Sequence, residues 1–257
     1  MSSDRTGGGS LQATVGPPNR DRLLVNTGYR DRYRSLLESN LPPPMKGFAA
    51  FFAKLDRLHT MSAMLAKHVD GKPPRILNAG SGAFAAELFS APFQNRQITS
   101  FDYTQEFADL FPVFQRDGML ATTTFSRADA NTVTYPANSF DVIVFHDIFY
   151  EAALNIPDVL HRFRDFLRPG GYLYLDFMSQ STELVWRLLG KGRAYKRYKL
   201  AEVRRTLVEN GFELLELRRS SDTSNPLVAC LNAMLWTMFR TSNAFAVIAR
   251  KNDRGTG

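Results

Sequence analysis

Apolar and polar residues follow two alternating patterns along the chain from residue 75 onward. Short apolar runs typical of strands occupy 75–79, 97–102, 121–127, 141–146, 171–177, 212–218 and 244–250. Apolar residues at helical spacing lie between these runs, near 83–91, 104–117, 151–168, 181–189 and 200–210. Strands that alternate with helices over short connections predict an α/β fold, with a mostly parallel seven-stranded sheet and helices on both faces. The closing pair, GFELLEL and FAVIARK, predicts a hairpin that makes the last strand antiparallel.

The chain before residue 71 has a different character. Residues 1–20 are rich in Gly, Ser, Pro and charged residues and contain almost nothing to bury, so we expect a disordered tail. Residues 21–70 place apolar side chains at near-helical spacing on either side of a Pro-Pro-Pro break. We expect an N-terminal helical lid here, although for its second half a helix packed on the sheet is the favoured interpretation. Residues 71–257 then form the α/β domain.

An insertion over 220–243 separates the last two strands. Its segment PLVACLNAMLWTMF is too continuously apolar for a solvated loop and predicts a short helix. This helix would cover an apolar substrate pocket, pack on the sheet or lie on a membrane surface. The last alternative is disfavoured because the segment contains no Lys or Arg before Arg240.

Composition limits the compartment. The single cysteine, Cys230, excludes an intrachain disulfide and a cysteine metal cluster and fits a reducing compartment. No apolar run reaches the ~20 residues that span a bilayer. We therefore expect a cytoplasmic protein with no metal and no transmembrane segment.

The charge of the chain bears on its partners. A formal charge of +7 favours acidic partners or substrates, and 187–205 holds eight basic residues against one acid. That stretch is either a solvated face or a surface that grips a carboxylate, a phosphate or an RNA backbone.

Candidate chemistry is concentrated where the predicted strands end. In open parallel sheets, ligands bind outside the carboxyl ends of the strands. Gly80 and Gly82 form a turn in which backbone can approach a ligand closely, ahead of a helix N-terminus. Asp102 ends the second strand about twenty residues further on, placed either to accept both hydroxyls of a ribose or to cap the next helix. Asp129 and His146 follow the third and fourth strands.

These features, in this order, resemble the class I S-adenosylmethionine-dependent methyltransferases, particularly the small-molecule branch. ILNAGSG is similar to the glycine-rich first motif of the family, and SFDY to its acidic second motif. RADANTVTYPANSFDVIVFHDIFYEA resembles the stretch from the adenine contact to the fourth strand, and LHRFRDFLRPGGYLYLDF the helix, Pro-Gly-Gly turn and fifth strand. The resemblance covers about 70–251 and implies a Rossmann-like fold with S-adenosylmethionine as cofactor.

The resemblance also implies a set of cofactor-binding residues. They are Asn78, Ala79, Gly80, Ser81, Gly82, Asp102, Tyr103, Asp129, Ala130, Phe145 and His146. Apart from the resemblance, Tyr29 and Tyr33 of the predicted lid are candidates to touch the cofactor. Within this set the glycines face the methionine part, Asp102 holds the ribose hydroxyls, Asp129 and Ala130 meet the adenine, and Phe145 and His146 close the pocket toward the sulfonium. The chain departs from the family pattern at Asn78, where an acid is usual, and at Phe84, which replaces the third glycine.

Methyl transfer is an in-line displacement, so the enzyme mainly aligns the acceptor in a dry site and supplies a base where a proton must leave. His146 lies at a suitable strand end, with Asp147 and Tyr150 as further catalytic candidates. Asp147 would alternatively cap the following helix. We expect the acceptor to be an oxygen, nitrogen or carbon atom of a small organic molecule, natural-product-like or lipid-like, with anionic or apolar character left open.

Three alternatives remain. GSGAFA also fits a dinucleotide-binding turn, but the Pro-Gly-Gly turn, the closing hairpin and the lack of a Tyr-x-x-x-Lys pair after strand four favour the methyl donor. An RNA-modifying methyltransferase is favoured by 187–205 and opposed by the absence of an added RNA-binding domain, and DNA is not expected. Asn78 and Phe84 keep open a non-catalytic adenosyl-binding protein. The oligomeric state is left undetermined.

Overall fold

The computed structural model describes residues 27–46, 49–52, 55–69, 74–94, 96–188, 196–219, 226–239 and 241–252. The disordered tail predicted over 1–20 lies outside the described residues. So do 189–195 of the basic stretch and 220–225 and 240 of the insertion.

A seven-stranded sheet forms the centre of the fold. Its strands are β1 (Arg75–Ala79), β2 (Gln97–Asp102), β3 (Thr123–Arg127), β4 (Phe140–Phe145), β5 (Leu167–Met178), β6 (Phe212–Arg219) and β7 (Ala244–Lys251). Their order in the sheet is β3-β2-β1-β4-β5-β7-β6. The first five strands pair in parallel, and β7 runs antiparallel to both of its neighbours. The predicted Rossmann-like sheet with an antiparallel last strand is confirmed.

Helices connect and cover these strands. They are α1 (Thr27–Asn40), α2 (Pro43–Lys46), α3 (Ala49–Phe52), α4 (His59–His68), α5 (Ala85–Phe89), α6 (Gln105–Arg116), α7 (Ile156–Phe166), α8 (Glu183–Leu188), α9 (Leu200–Glu209) and α10 (Pro226–Phe239). No helix in the described ranges is both long enough and apolar enough to cross a bilayer.

Two apolar clusters bury the two faces of the sheet. On one face, α1, α4 and α6 pack against β1, β4 and β7; Met61, Met64 and Leu65 of α4 are almost fully buried there. On the other face, α7 and α9 cover the sheet with residues such as Phe163 and Leu207. The second half of the N-terminal region therefore packs on the sheet, as the favoured interpretation predicted.

The first helix after the glycine turn is shorter than its predicted range of 83–91. Phe84 adopts the left-handed conformation (φ 62°), so α5 begins only at Ala85. The fully buried ring of Phe84 packs against Phe111, Phe114 and Phe125 in the core. Burial of this ring provides the favourable energy that holds an unfavourable backbone conformation.

Candidate functional site

The carboxyl ends of β1 and β4 lie side by side at the centre of the sheet. The chain leaves β1 toward β2 on one side and leaves β4 toward β5 on the other, because the strand order reverses between them. Loops that part in opposite directions open a crevice at this edge, which is where open α/β sheets bind ligands. The predicted site residues that follow β1, β2, β3 and β4 all belong to this edge.

The glycine turn after β1 is anchored to the neighbouring strand. The N–H groups of Gly80 and Ser81 both donate to the Phe101 carbonyl, at 2.9 and 3.1 Å. Gly80 and Gly82 have φ of 70° and 54°, in the left-handed region that favours glycine. The turn is therefore a fixed element of the site.

Asp102, at the end of β2, is tied directly to this turn. Its Oδ2 accepts the N–H of Gly82 at 2.9 Å, and its Oδ1 accepts the N–H of Thr104 at 2.9 Å. Thr104 is the N-cap residue of α6, so Asp102 also organises the entry to that helix. A carboxylate has about four acceptor positions, so both oxygens retain capacity for a further donor such as a ribose hydroxyl.

A buried hydroxyl in the same turn tests whether a polar ligand fits. Ser81 Oγ is inaccessible to solvent and has no hydrogen-bond partner among the described residues. Buried polar groups are nearly always paired, so an orphan in a ligand-binding turn indicates a partner that arrives with the ligand. An adenosyl sulfonium with an amino-acid tail carries hydroxyl and ammonium groups that donate hydrogen bonds. These donors suit the Ser81 hydroxyl and the Asp102 carboxylate as acceptors, so the residues present fit this cofactor.

Ile148, in the loop after β4, covers Gly80. A Cβ at Gly80 would lie 2.4 Å from Ile148 Cγ2, well inside contact distance. The absence of a Cβ at Gly80 therefore leaves room for the side chain of Ile148. Ile148 is nearly buried and forms an apolar wall over the turn.

Asn78, in β1, joins a buried polar cluster beneath the turn. Its Nδ2 donates to Oε1 of Glu87 at 2.8 Å, and Ser100 Oγ donates to the same oxygen at 2.6 Å. Oε2 of Glu87 is buried and has no partner in the described part of the chain. Burial raises the pKa of Glu87, although the hydrogen bonds from Ser100 and Asn78 oppose this rise. The acid missing at position 78 is thus present nearby, on α5. Ala79 beside it is fully buried in the sheet.

His146, directly after β4, pairs with an aspartate of β5. Its Nδ1 lies 2.6 Å from Asp176 Oδ2. The same carboxylate accepts the backbone N–H of Asp147 at 2.6 Å and the hydroxyl of Tyr174 at 3.1 Å. The side chains of His146 and Asp176 are only 14% and 11% exposed. An unprotonated carboxylate can only accept, so Nδ1 carries the hydrogen and Nε2 is left as the basic nitrogen.

The other residues predicted beside His146 occupy different positions. Asp147 has a left-handed φ of 58° and does not cap α7, whose N-cap residue is Asn155. Tyr150 is partly exposed in the same loop, and its carbonyl accepts the N–H of Lys196 at 3.0 Å. The side chain of Phe145 is fully buried and contacts Phe149 and Phe163 in the core, so it faces away from the crevice.

Asp129 and Ala130 follow β3, on the side of the crevice where adenine is expected. Asp129 Oδ1 accepts the N–H of Asn131 at 2.8 Å, and Ala130 is nearly buried. Tyr103 follows Asp102 and is 62% exposed, so its ring is accessible. Its carbonyl accepts Arg127 Nε at 3.0 Å.

The two tyrosines of α1 contact different parts of the segment after β1: Tyr33 contacts the turn, and Tyr29 packs on α5. Tyr33 is almost fully buried and donates its hydroxyl to the carbonyl of Ala83 at 2.9 Å. Burial, with a smaller contribution from Glu87, raises the pKa of Tyr33 far above its usual range. Tyr29 is partly buried against the ring of Phe89. Tyr33 thus supports the backbone of the glycine turn.

Much of the described part of the basic stretch binds the protein itself. Lys196 Nζ donates to the Leu154 carbonyl at 2.6 Å, and Arg197 donates to the Ser179 carbonyl at 3.1 Å. Lys199 pairs with Glu202. Residues 189–195 lie outside the described part. Within the described ranges, no group of three or more His, Cys, Asp or Glu is placed to hold a metal ion.

Comparisons with known proteins bear on the domain type and the fold of the chain. Residues 77–175 match the family model described as "Methyltransferase domain". The chain is similar in structure to a Burkholderia thailandensis 1,6-didemethyltoxoflavin N1-methyltransferase with bound 1,6-didemethyltoxoflavin and S-adenosylhomocysteine (TM-score 0.57, 19% identity, 87% of this chain and 91% of that one). The chain has the class I methyltransferase fold.

Two further solved structures show the breadth of this fold. A Methanosarcina mazei SAM-dependent methyltransferase aligns with TM-score 0.57 and 16% identity over 74% of this chain and 98% of that one. The [4+2]-cyclase SpnF aligns with TM-score 0.56 and 21% identity over 78% and 81%. A comparison with curated proteins found no match. The family resemblance derived from the sequence is confirmed.

Four residues of the site were missed in the sequence. Asp176 and Tyr174 lie about thirty positions after His146, in the apolar run LYLDF, and Glu87 interrupts an otherwise apolar helix. Each of these three is a polar or charged residue within a segment that the sequence predicts to be buried. Buried polar groups need partners, and this was the indication that the sequence offered. Ile148 carries no comparable indication.

Proposed function

We propose that this chain uses S-adenosylmethionine to methylate an oxygen, nitrogen or carbon nucleophile of a small organic molecule, natural-product-like or lipid-like. The observation that carries the proposal is the hydrogen bond from Gly82 to Asp102, which joins the glycine turn and the acidic strand end in one site. The orphan hydroxyl of Ser81 in that turn supports it.

The assignment of residues follows the position of each along the edge. Asp102 accepts the ribose hydroxyls, and Ser81 with the turn receives the methionine part. Asp129 and Ala130 lie toward the adenine, with the exposed ring of Tyr103 beside them. When bound, the cofactor supplies an electrophilic methyl group on a sulfonium.

His146 acts as the general base. Asp176 and Tyr174 fix the imidazole so that Nε2 accepts a proton from the acceptor, while Nδ1 remains bonded to the carboxylate. The proton moves from the acceptor to Nε2, and the resulting imidazolium is stabilised by the adjacent Asp176. This dyad supports acceptors that must lose a proton, such as hydroxyl, amine or acidic carbon groups.

The N-terminal helices and α10 close the site. Phe52 of α3 supports this, because its Cε1 lies 3.9 Å from the position that a Cβ on Gly82 would occupy. α3 therefore borders the glycine turn directly. The exposed single cysteine, Cys230, supports a reducing compartment such as the cytoplasm.

Calorimetric titration of the full chain with S-adenosylhomocysteine and with NADPH tests the cofactor. We expect micromolar binding of the adenosyl ligand and no response to NADPH. NADPH binding alone, or no response to either ligand, would overturn the proposal, and binding of the adenosyl ligand with no methyl transfer would favour the non-catalytic adenosyl-binding protein.

Transfer of a labelled methyl group from the cofactor then tests the acceptor. The substrates are a panel of phenols, amines and hydroxylated lipids, run beside total RNA. Labelling in the small-molecule panel that is lost in His146→Gln supports the proposal, while salt-sensitive labelling of RNA alone would indicate the RNA-modifying alternative.

A further inference from the structure

A buried carboxyl group lies behind the two strand ends that form the proposed cofactor site. Glu87 of α5 is only 5% exposed, and its Oε1 accepts two hydrogen bonds: from Asn78 Nδ2 of β1 at 2.8 Å and from Ser100 Oγ of β2 at 2.6 Å. Asn78 and Ser100 lie directly opposite each other in the parallel β1–β2 pair. One carboxyl oxygen therefore joins both strands at the same level. We name these three residues the buried clamp.

The buried clamp lies two residues before the glycine turn on β1 and two residues before Asp102 on β2. Beyond it, the N–H groups of Gly80 and Ser81 donate to the carbonyl of Phe101, at 2.9 and 3.1 Å, and the N–H of Gly82 donates to Asp102 Oδ2 at 2.9 Å. Each of these hydrogen bonds crosses from the β1 side to the β2 side. Their geometry therefore depends on the spacing of the two strands, which the buried clamp helps to fix.

The short helix that carries Glu87 is held on both sides. Before it, Tyr33 donates its hydroxyl to the Ala83 carbonyl at 2.9 Å. After it, Gln94 Nε2 donates to the carbonyls of Glu87 and Leu88, at 3.2 and 3.0 Å. Because α5 has only five residues, these contacts restrict how far the carboxyl group can shift along the strands. The buried clamp is therefore a fixed connection between α5 and the sheet.

The buried clamp uses one oxygen of Glu87 and leaves the other unpaired. Oε2 is buried and has no hydrogen-bond partner among the described residues. Burial raises the pKa of Glu87, the hydrogen bonds from Ser100 and Asn78 oppose this rise, and the charge of Asp102 adds to it. A buried carboxylate with an unpaired oxygen is costly, so Glu87 is held as the neutral acid. Its carbonyl oxygen alone can accept both hydrogen bonds, so the clamp requires an acceptor oxygen and not a charge.

We infer that Glu87 is a positioning residue of the cofactor site: its hydrogen bonds to Asn78 and Ser100 set the spacing of the strand ends that present the glycine turn and Asp102. Glu87 acts through these two partners and not by contact with the ligand. Its effect on cofactor affinity rests on the proposed function, whereas its effect on the turn does not.

Amide hydrogen exchange of the ligand-free full chain, followed by mass spectrometry of the peptide that contains the glycine turn, tests the effect on the turn. Glu87→Leu is similar in size but has no acceptor, so we expect the amides of the turn to exchange about tenfold faster than in the wild type. Glu87→Gln keeps an acceptor oxygen, so its exchange should stay near the wild-type rate. Ser100→Ala removes only one donor and should increase exchange by about threefold.

Calorimetric titration with S-adenosylhomocysteine tests the effect on the cofactor. We expect binding to Glu87→Leu to be weaker by about tenfold, because Gly82 and Asp102 are no longer held in one geometry. Binding to Glu87→Gln should stay within about twofold of the wild type, since the conservative variant restores the acceptor. A residue that served only overall stability would not produce this difference in folded protein.

Asp141→Leu is the matched control, because Asp141 is also a buried acid that joins β1 to a neighbouring strand, but at the opposite edge of the sheet. Its Oδ2 accepts the backbone N–H of Arg75, the first residue of β1, at 2.6 Å, and its Oδ1 pairs with Arg168 Nε at 2.9 Å. We expect this variant to melt at a lower temperature than the wild type. Well below that temperature, its turn exchange and its affinity for S-adenosylhomocysteine should equal those of the wild type.

Turn exchange in Glu87→Leu at the wild-type rate would overturn the inference, and so would an equal increase in Asp141→Leu, which would reflect general loss of stability. If Glu87→Leu does not fold, unchanged exchange in Ser100→Ala overturns it. Faster exchange with unchanged affinity would contradict the role of Glu87 toward the cofactor. A wild-type chain that binds no S-adenosylhomocysteine would contradict only the proposed function, because the exchange measurement needs no ligand.

Discussion

Asp176 Oδ2 lies 2.6 Å from His146 Nδ1, across the pair of neighbouring strands β4 and β5. The carboxylate is held by two further donors, the Asp147 N–H and the Tyr174 hydroxyl. The imidazole therefore has a fixed orientation and a fixed tautomer before any ligand arrives. Such preorganisation is what a general base at a methyl-transfer site requires.

Asp176→Asn tests whether this pair serves catalysis. The amide can no longer stabilise an imidazolium, so we expect kcat to fall on the order of 100-fold. Affinity for S-adenosylhomocysteine should stay near the wild-type value. Steady-state kinetics and calorimetry measure the two effects, and Tyr174→Phe, which removes the longest of the three contacts, should lower kcat only a few-fold. Unchanged turnover in Asp176→Asn would remove the pair from the mechanism.

The contact between Gly80 and Ile148 predicts a coupled pair of substitutions. Gly80→Ala adds a Cβ that would clash with Ile148 and forces alanine to a positive φ, so we expect a loss of about 2–4 kcal/mol in the free energy of unfolding. Ile148→Ala in the same chain removes the clash but not the backbone strain. Denaturant unfolding of the two single variants and the double variant should show about 1 kcal/mol or more of favourable coupling. Strict additivity would show that the clash is not what requires glycine here.

Glu87 predicts a pH dependence of stability. Burial raises its pKa in the folded protein above the ordinary value of 4.5, so the folded state holds a proton that the unfolded state releases. Stability therefore falls as pH rises above about 4.5. Glu87→Gln keeps an oxygen for Asn78 and Ser100 and removes the titration, so its melting temperature should exceed that of the wild type at neutral pH and approach it near pH 4.

The exposed Glu213→Gln serves as the control for this comparison. Its melting curve should run parallel to that of the wild type over the same pH range. Parallel curves for Glu87→Gln as well would contradict this account, because they would show that folding does not raise the pKa of Glu87.

Glu216 predicts a dependence of the opposite sign. Burial alone would raise its pKa, but hydrogen bonds from His68, Lys67 and Arg218 outweigh burial and lower the pKa to about 2. These contacts join α4 to β6. Their stabilisation is present above pH 4.5 and is lost as pH falls toward about 2. In thermal melts, the wild type should have a higher melting temperature than Glu216→Gln at neutral pH. The difference should disappear as the pH falls from 4.5 toward about 2, and a difference that stays constant would contradict the assigned pKa.

Periodicity and strand-end residues were sufficient to predict the sheet, because buried strands and turn residues are local properties of the sequence. All seven strands occur, and Asp102 lies beside the glycine turn as expected. Boundaries differed where tertiary packing outweighs local preference. β5 begins at Leu167 because Leu167 pairs with Phe140 ahead of the Pro-Gly-Gly turn.

The polar partners within the site were less predictable. Asp176 and Glu87 act through contacts with residues on other elements, and nothing local specifies which partner a buried carboxyl meets. Tyr33 was assigned to the cofactor from its place in the lid, whereas the structure shows it holding the Ala83 carbonyl. Pairings of this kind depend on how elements pack against each other, which a single sequence does not encode in a readable pattern.

The binding of S-adenosylhomocysteine to Asp102→Ala tests the central claim most directly. Loss of the carboxylate leaves the ribose hydroxyls without a charged acceptor, so calorimetry should show binding weaker by about 1.5–3 kcal/mol, roughly 10- to 150-fold. Asp109→Ala on the exposed side of α6 should bind as the wild type does. An affinity of folded Asp102→Ala equal to that of the wild type would contradict the assignment of this edge as the adenosyl site.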